Sequence, residues 1–480
     1  MPAERPNVLL LLTDQERYDL TTPGSRPETP AIDELADEGL RFERAYTPIS
    51  ICSSARASLL SGLYPHNHGM LNNCHEDDAI LRNLPSDLPT LGERLAEAGY
   101  RNTYLGKWHV GRDQGPADFG FEYLGGSDRH HDPQLESSFR DYRRRLGVDP
   151  DGIELEDVVY TEHERDPTLL AATTPVPAEA TRPYYLAERT IERLEAVAEG
   201  DEAGPFFHRS DFLGPHHPYV IPEPYASMYD PAEIDPWPTY AETFAGKPAA
   251  HERYLAYRGV AGFDWDDWAG LVAKYMGFMT LIDEQIGRIL TALSDLGLAD
   301  STVTVHTSDH GDFVGNHRQF NKGPMMYEDT YRVPLFVRWP GVTEPGSVCE
   351  SFVSLLDLMP TLLDVGGADV LPDLDGRSLR PLLGGDAPDD WPDDAFAEYH
   401  GDEFGLYSQR MLRTHRYKLV FNVPDRNELY DLRADPHELT NLVDHPAYRD
   451  VRRRLERRLV ERMRETDDTI AGWAPKALGL

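Results

Sequence analysis

Four short apolar runs, each leading into a polar residue fit for chemistry, constrain this chain more than any other feature. They are Asn7–Leu12 before Asp14-Gln15, Arg101–Leu105 before His109, Phe206–Phe212 before His216, and Thr302–Thr307 before Asp309-His310. Runs of this length between segments of helical period fit buried parallel strands joined by crossover helices. Thr29-Pro30 opens one such helix as N-cap and first-turn proline, with Ile32, Leu35, Ala36 and Leu40 on its inner face. Thr90–Ala98 repeats the design and Gly99 stops it. Further helices are expected over Arg189–Ala198, Trp268–Leu296 and Leu355–Leu363, with another strand over Arg332–Trp339. The predicted fold class is α/β, with a large mixed, mainly parallel sheet flanked by helices. Ligands of such sheets bind at the carboxyl ends of the strands, so four polar strand ends predict one composite site.

The chain divides by composition. Residues 1–370 are expected to form a catalytic domain, within which 128–183, polar, acidic and aperiodic, is an inserted lid. The Pro- and Asp-rich stretch 371–394 connects it to a small α+β subdomain, 395–480. There Gln409–Asn422 and Glu428–Leu432 suggest an antiparallel sheet, and Tyr448–Arg464 a charged amphipathic covering helix. No apolar run approaches the ~18–20 residues of a membrane helix. Asn7–Leu12 is too short for the core of a secretion signal, so a cytoplasmic location is expected. With 47 basic against 83 acidic residues, a net of −36, the chain lacks the positive footprint that nucleic acid or an anionic membrane needs. The three cysteines, Cys52, Cys74 and Cys349, have neither metal-clip spacing nor an even count. Cys74 and Cys349 read as small buried or part-buried thiols.

Cys52-Ser53-Ser54-Ala55-Arg56 is a polar turn before a small-residue helix. That places Cys52 at a helix N-terminus, which favours anions and lowers a thiol's pKa. Arg56, one turn on, can present its guanidinium to a tetrahedral oxyanion. On spacing alone, a structural cysteine is the simpler reading.

The segment resembles the signature of the type I, formylglycine-dependent sulfatases of the alkaline phosphatase superfamily, running from Cys52 to Pro65 and on through His66-Asn67-His68-Gly69. The likeness covers most of the chain in six ordered matches. Pro6–Gln15 is similar to the family's first metal-binding strand and Gly106-Lys107-Trp108-His109 to its Gly-Lys-Trp-His element. Pro215-His216-His217-Pro218 is similar to a later histidine motif. Ser308-Asp309-His310-Gly311 with Asn321-Lys322-Gly323 resembles the second metal strand and its lysine. Glu428–Leu432 with Asn441-Leu442 resembles the C-terminal subdomain.

The resemblance implies that a maturation enzyme oxidises Cys52 to formylglycine, whose hydrate supplies a nucleophilic oxygen. Asp14, Gln15, Asp309 and His310, together with position 52, would hold a hard divalent cation, calcium first, magnesium or manganese otherwise. It further implies that Arg56, Lys107 and Lys322 neutralise the sulfate oxygens and that Asn73 adds a donor. His216 would protonate the leaving alcohol, and His109 would be the base of the second step. Two of only six lysines in the chain fall in these motifs. His66, His68 and His217 read as structural. The implied substrate is a small-molecule or carbohydrate sulfate ester. Ser54 stands where the family usually has proline. Gln15 and His310 match subgroups that include phosphonate and phosphodiester hydrolases, which is the alternative activity. A second alternative is an inactive anion-binding homologue in which Cys52 stays a thiol.

Overall fold

The computed structural model describes residues 5–125, 137–150, 154–200, 204–402 and 404–480. Its first strand, Asn7–Asp14, shows why the fold forms. Leu9 and Leu11 face one apolar cluster with Leu186, Leu194 and the long helix Trp265–Asp295. Val8, Leu10 and Leu12 face another with Leu91, Leu95, Leu358 and Leu362. A strand alternates its side chains between two faces, so a continuous apolar run is what helices on both faces require. Each fully buried Leu or Val contributes about 1.5–3 kcal/mol.

The main sheet has eight strands, in the order Ser347–Ser354, Leu40–Tyr46, Leu335–Arg338, Thr302–Ser308, Asn7–Asp14, Phe206–Pro215, Arg101–Gly106, Glu122–Tyr123. Among them Leu335–Arg338 runs antiparallel to both neighbours and the other pairings are parallel. The four strands anticipated to carry chemistry are adjacent. Their registers are level, with Thr13 opposite Ser308, Leu12 opposite Asp211, and Gly106 opposite Asp211.

Several local expectations are corrected. Leu40 begins the strand Leu40–Tyr46 rather than ending the preceding helix, Pro30–Glu38. Thr29 occupies that helix's N-cap position without a side-chain capping bond. Asp283 of the long helix caps it instead, accepting from Ala31 N at 3.0 Å and Ile32 N at 2.9 Å. The stretch read as aperiodic, 128–183, lies partly outside the described residues. Where described it holds the helix Ser137–Arg145 and the strands Glu156–Tyr160 and Leu169–Thr174. The small side chains of Leu169–Thr174 are mostly buried, and this strand pairs in parallel with Tyr219–Pro222, just after His216. No helix among the described residues is long and apolar enough to cross a membrane.

The C-terminal sheet is antiparallel, Asp394–Asp402, Gly405–Thr414, Tyr417–Val423 and Glu428–Asp431, and Asp394–Asp402 was not among the anticipated segments. The helix Arg449–Glu465 covers it through Leu455, Leu459, Val460 and Met463, packed on Leu412, Leu419 and Phe421. This sheet is tied to the segment after the Cys52 helix by His66. Its Nδ1 lies 2.6 Å from Glu398 Oε2, and its Nε2 lies 2.7 Å from the Thr466 carbonyl. Both ring nitrogens face acceptors, so both are protonated and the ring is an imidazolium. Burial opposes that charge, yet Glu398 overrides it and raises the pKa to about 9.

The folded pKa exceeds the ordinary 6.5, so this stabilisation is complete below pH 6.5 and disappears as pH rises through 9. We expect wild type to lose about 3 kcal/mol more than His66→Gln over that interval. Urea unfolding of both proteins at the two ends of the window measures it, and parallel pH profiles would refute it.

Candidate active site

Each strand end delivers its residue to one buried locus. Asp14 closes the first strand and Asp309 follows the last, with Asp309 N donating to the Thr13 carbonyl at 3.3 Å. Cys52 is the first residue of the helix Cys52–Ser61, all ten residues of which are buried. One donor atom from each of Asp14, Cys52, Asp309 and His310 lies within 4.8 Å of the others. Cys52 Sγ sits 3.2 Å from His310 Nε2 and 3.7 Å from Asp14 Oδ1. His310 Nδ1 lies 2.8 Å from the Gly311 carbonyl, which makes it the donor and leaves Nε2 an acceptor aimed at the cluster. Burial and Lys322 keep this ring neutral.

Two buried carboxylates this close repel. Burial pushes Asp14 up, but Lys107 and Arg56 hold it well below the carboxylate range, whereas burial and the Asp14 charge raise Asp309. Two carboxylates, a neutral imidazole acceptor and the side chain of residue 52 are a donor set that fits a hard divalent cation. Gln15 stands beside it in a left-handed conformation (φ 65°), its Nε2 donating to Asp312 Oδ2 and Asn321 Oδ1, both at 2.8 Å. Those two bonds turn Gln15 Oε1 toward Lys322 Nζ, 3.3 Å away.

Lys107 reaches Asp14 Oδ2 from the end of its strand. It is placed by Gly106 (φ +100°), whose missing Cβ would lie 2.0 Å from the Asp211 carbonyl oxygen, so glycine is required there. Arg56 is wholly buried. Its Nε donates to Asp309 Oδ2 at 2.8 Å, Nη2 to Asp14 Oδ2 at 2.9 Å, and Nη1 to Asp211 Oδ2 at 2.7 Å and the Lys107 carbonyl at 3.0 Å. Four hydrogen bonds thus tie the guanidinium to three carboxylates and one carbonyl.

The thiol expectation is reversed. Burial, then the Asp14 charge, push Cys52 up to about 12, beyond the reach of the helix N-terminus. Asn73 is brought to its side: Asn73 Oδ1 accepts from Ser53 N at 3.3 Å, and Asn73 Nδ2 donates to Asp402 Oδ2 at 3.2 Å. His216 lies against His217, ring centroids 4.5 Å apart, with Nδ1 on the His217 carbonyl. His109 meets His75. Burial comes first in holding both His109 and His216 below the ordinary histidine range, with Lys107 adding to it at His109 and His217 at His216. His68 bonds Ser58 Oγ at 3.0 Å.

Asp211, Asp312, Asn321, His75 and Asp402 were not anticipated. Asp211 had a signal: a carboxylate inside an apolar strand needs partners, and it has Arg56, Arg209 and Tyr104. Asp312 and Asn321 stand within two residues of His310 and Lys322 and His75 follows Cys74, whereas Asp402 joins the site through a nonlocal contact with Asn73.

With this geometry in hand, similarity to known proteins is informative. A family model described as Sulfatase matches residues 6–368, and one described as N-sulphoglucosamine sulphohydrolase, C-terminal, matches residues 315–465. An arylsulfatase of Clostridium perfringens is 30% identical, over 93% of this chain and 92% of that protein. A multifunctional alkaline phosphatase superfamily protein, PehA, of Trinickia caryophylli is 31% identical over 99% of both chains. The crystal structure of a phosphonate monoester hydrolase of Agrobacterium radiobacter superposes with a TM-score of 0.80 at 27% identity, covering 96% of each chain.

Proposed function

The chain belongs to the sulfatase family of the alkaline phosphatase superfamily, and on that premise we propose that it hydrolyses a sulfate monoester at residue 52 after conversion of Cys52 to formylglycine. The observation that carries this reading is the meeting of Asp14, Cys52, Asp309 and His310 in one buried cluster. The formylglycine hydrate would supply the nucleophilic oxygen, and a divalent cation, calcium first, would lower that oxygen's proton affinity and polarise the ester. Asp14, Asp309 and His310 would hold the cation, with the Gln15 amide oxygen as a further donor. Arg56 fixes the carboxylates from behind. Lys107 and Lys322 offer their charges to the sulfate oxygens, a contribution of about 2.7–4 kcal/mol for each such donor at a transition state. An arriving anion raises the proton affinity of His216, which then protonates the leaving alcohol. His109 takes up a proton in the step that restores residue 52. Asn73 orients the N-terminus of the Cys52 helix and stands as a donor at the substrate's edge.

The partner this requires is a formylglycine-generating enzyme. Ser54 replaces the family's proline at the third position of the helix Cys52–Ser61, where a backbone N–H has no intrahelical acceptor. Proline and serine are therefore exchangeable there in the folded state, and any difference lies in how the unfolded segment is recognised. Mass spectrometry of the Cys52 peptide from the native host is expected to find the aldehyde in place of the thiol. A fully unmodified peptide from active protein would overturn the mechanism, whereas an unmodified peptide from protein without activity would favour the thiol-bearing, anion-binding reading.

Gln15 and His310 favour a second reading, hydrolysis of a phosphonate monoester or phosphodiester, as does the likeness to a phosphonate monoester hydrolase. Steady-state rates on aryl sulfate, aryl phosphonate monoester and phosphodiester substrates with one common leaving group decide between them. We expect the sulfate to have the highest kcat/KM, and a higher value for either phosphorus ester reverses the assignment.

A further inference from the structure

Beside the oxygen-rich cluster lies a second group of different chemistry. One donor atom from each of Cys74, His75 and His109 lies within 4.8 Å of the others. His109 Nε2 faces His75 Nδ1, and His75 Nε2 lies 3.0 Å from Glu76 Oε1. A carboxylate behind an imidazole whose other nitrogen points at further donors is the outer shell of a metal-bound histidine. The backbone is fastened around it. Cys74 N donates to Ser53 Oγ at 3.1 Å, and Arg112 Nε donates to the Cys74 carbonyl at 2.6 Å. His109 takes a left-handed conformation (φ 60°) that is uncommon away from glycine. Cys74 and His109 are buried, while the His75 side chain retains 28% exposure and opens the group to solvent.

We propose that Cys74, His75 and His109 bind a thiophilic divalent cation, zinc in type, and that occupancy shuts the enzyme off by claiming the His109 imidazole. A thiolate and two imidazoles are a zinc donor set, reached at about 2.3 Å for sulfur and 2.0–2.1 Å for nitrogen, with water completing a tetrahedron. The cluster of Asp14 and Asp309 suits hard cations, so the two groups differ in the class of metal they fit by donor softness. Binding displaces the Cys74 thiol proton and any proton on His75 Nδ1 to solvent, with no change of oxidation state. The shut-off rests on the role proposed for His109; the binding does not.

Cobalt titration of the calcium-loaded enzyme tests the site without reference to turnover. One equivalent is expected to give tetrahedral visible bands and a near-ultraviolet thiolate charge-transfer band, both displaced by zinc. The charge-transfer band should survive Cys52→Ala and vanish in Cys74→Ser, and His75→Asn should weaken cobalt binding at least tenfold. Absence of the band, its loss with Cys52→Ala, or its persistence in Cys74→Ser overturns the site. Zinc is expected to lower wild-type activity at least tenfold at concentrations that leave Cys74→Ser unaffected. Equal zinc sensitivity of the two proteins removes the shut-off while leaving the cobalt result to stand or fall separately.

Discussion

Asp14→Asn and Asp309→Asn are expected to cut kcat/KM alike, by about 10³-fold or more, because each removes an anionic cation ligand. Their effects on the metal-free fold should differ sharply. Asp14 Oδ2 receives both Arg56 Nη2, at 2.9 Å, and the Lys107 ammonium, in a wholly buried setting. Asparagine there leaves Lys107 as a buried charge without its counterion, a loss of about 3–5 kcal/mol. Asp309 is the member of the pair whose charge is resisted, by burial and by Asp14 itself. An asparagine oxygen at 309 still accepts from Arg56 Nε, now 2.8 Å from Asp309 Oδ2, so the metal-free protein should change by no more than about 1 kcal/mol. Urea unfolding after chelation measures both. Adding back calcium should stabilise wild type and neither variant. Equal losses in the metal-free state would sink the unequal division of charge between the two carboxylates.

The parts of this site that were legible in the sequence share one property. Asp14, Asp309, His109 and His216 each follow an apolar run long enough to be a strand, and a parallel sheet delivers such residues to one edge. Cys52, Arg56 and the two motif lysines needed the family resemblance as well, since spacing around Cys52 also suits a structural thiol. What escaped is equally physical. The strand Leu40–Tyr46 is only half-buried at Arg41, Glu43 and Arg44, which point into partly exposed ion pairs, so its residues mimic a helix end. The edge strand Ser347–Ser354 is half exposed along its first half and carries no continuous apolar run. Asp283 as the cap of a helix some 250 positions earlier, or Asp402 beside Asn73, are tertiary pairings with no local trace. The direction of the Cys52 shift depended on burial of the whole helix, which its serines and arginine disguised.

Arg56→Lys separates the two roles that the sequence and the structure suggest for this side chain. A guanidinium that grips a sulfate oxygen would, on becoming lysine, raise KM and leave the fold untouched. The observed arginine instead joins three carboxylates, Asp14, Asp211 and Asp309, each within 2.9 Å, with no exposed surface. Lysine keeps the charge but has a single ammonium on a flexible stem, which cannot reproduce a planar fork bonded in three directions. At least one carboxylate then stays buried without a partner, and we expect a loss of about 3–5 kcal/mol in stability. Displaced Asp14 and Asp309 should bind calcium at least tenfold more weakly, a loss of the size seen when groups that orient metal ligands are removed. With calcium saturating, kcat should fall by about 10²–10³-fold while KM stays within about threefold of wild type. A raised KM with unchanged stability and calcium affinity would return Arg56 to the substrate and leave Asp211 to its bonds with Arg209 and Tyr104.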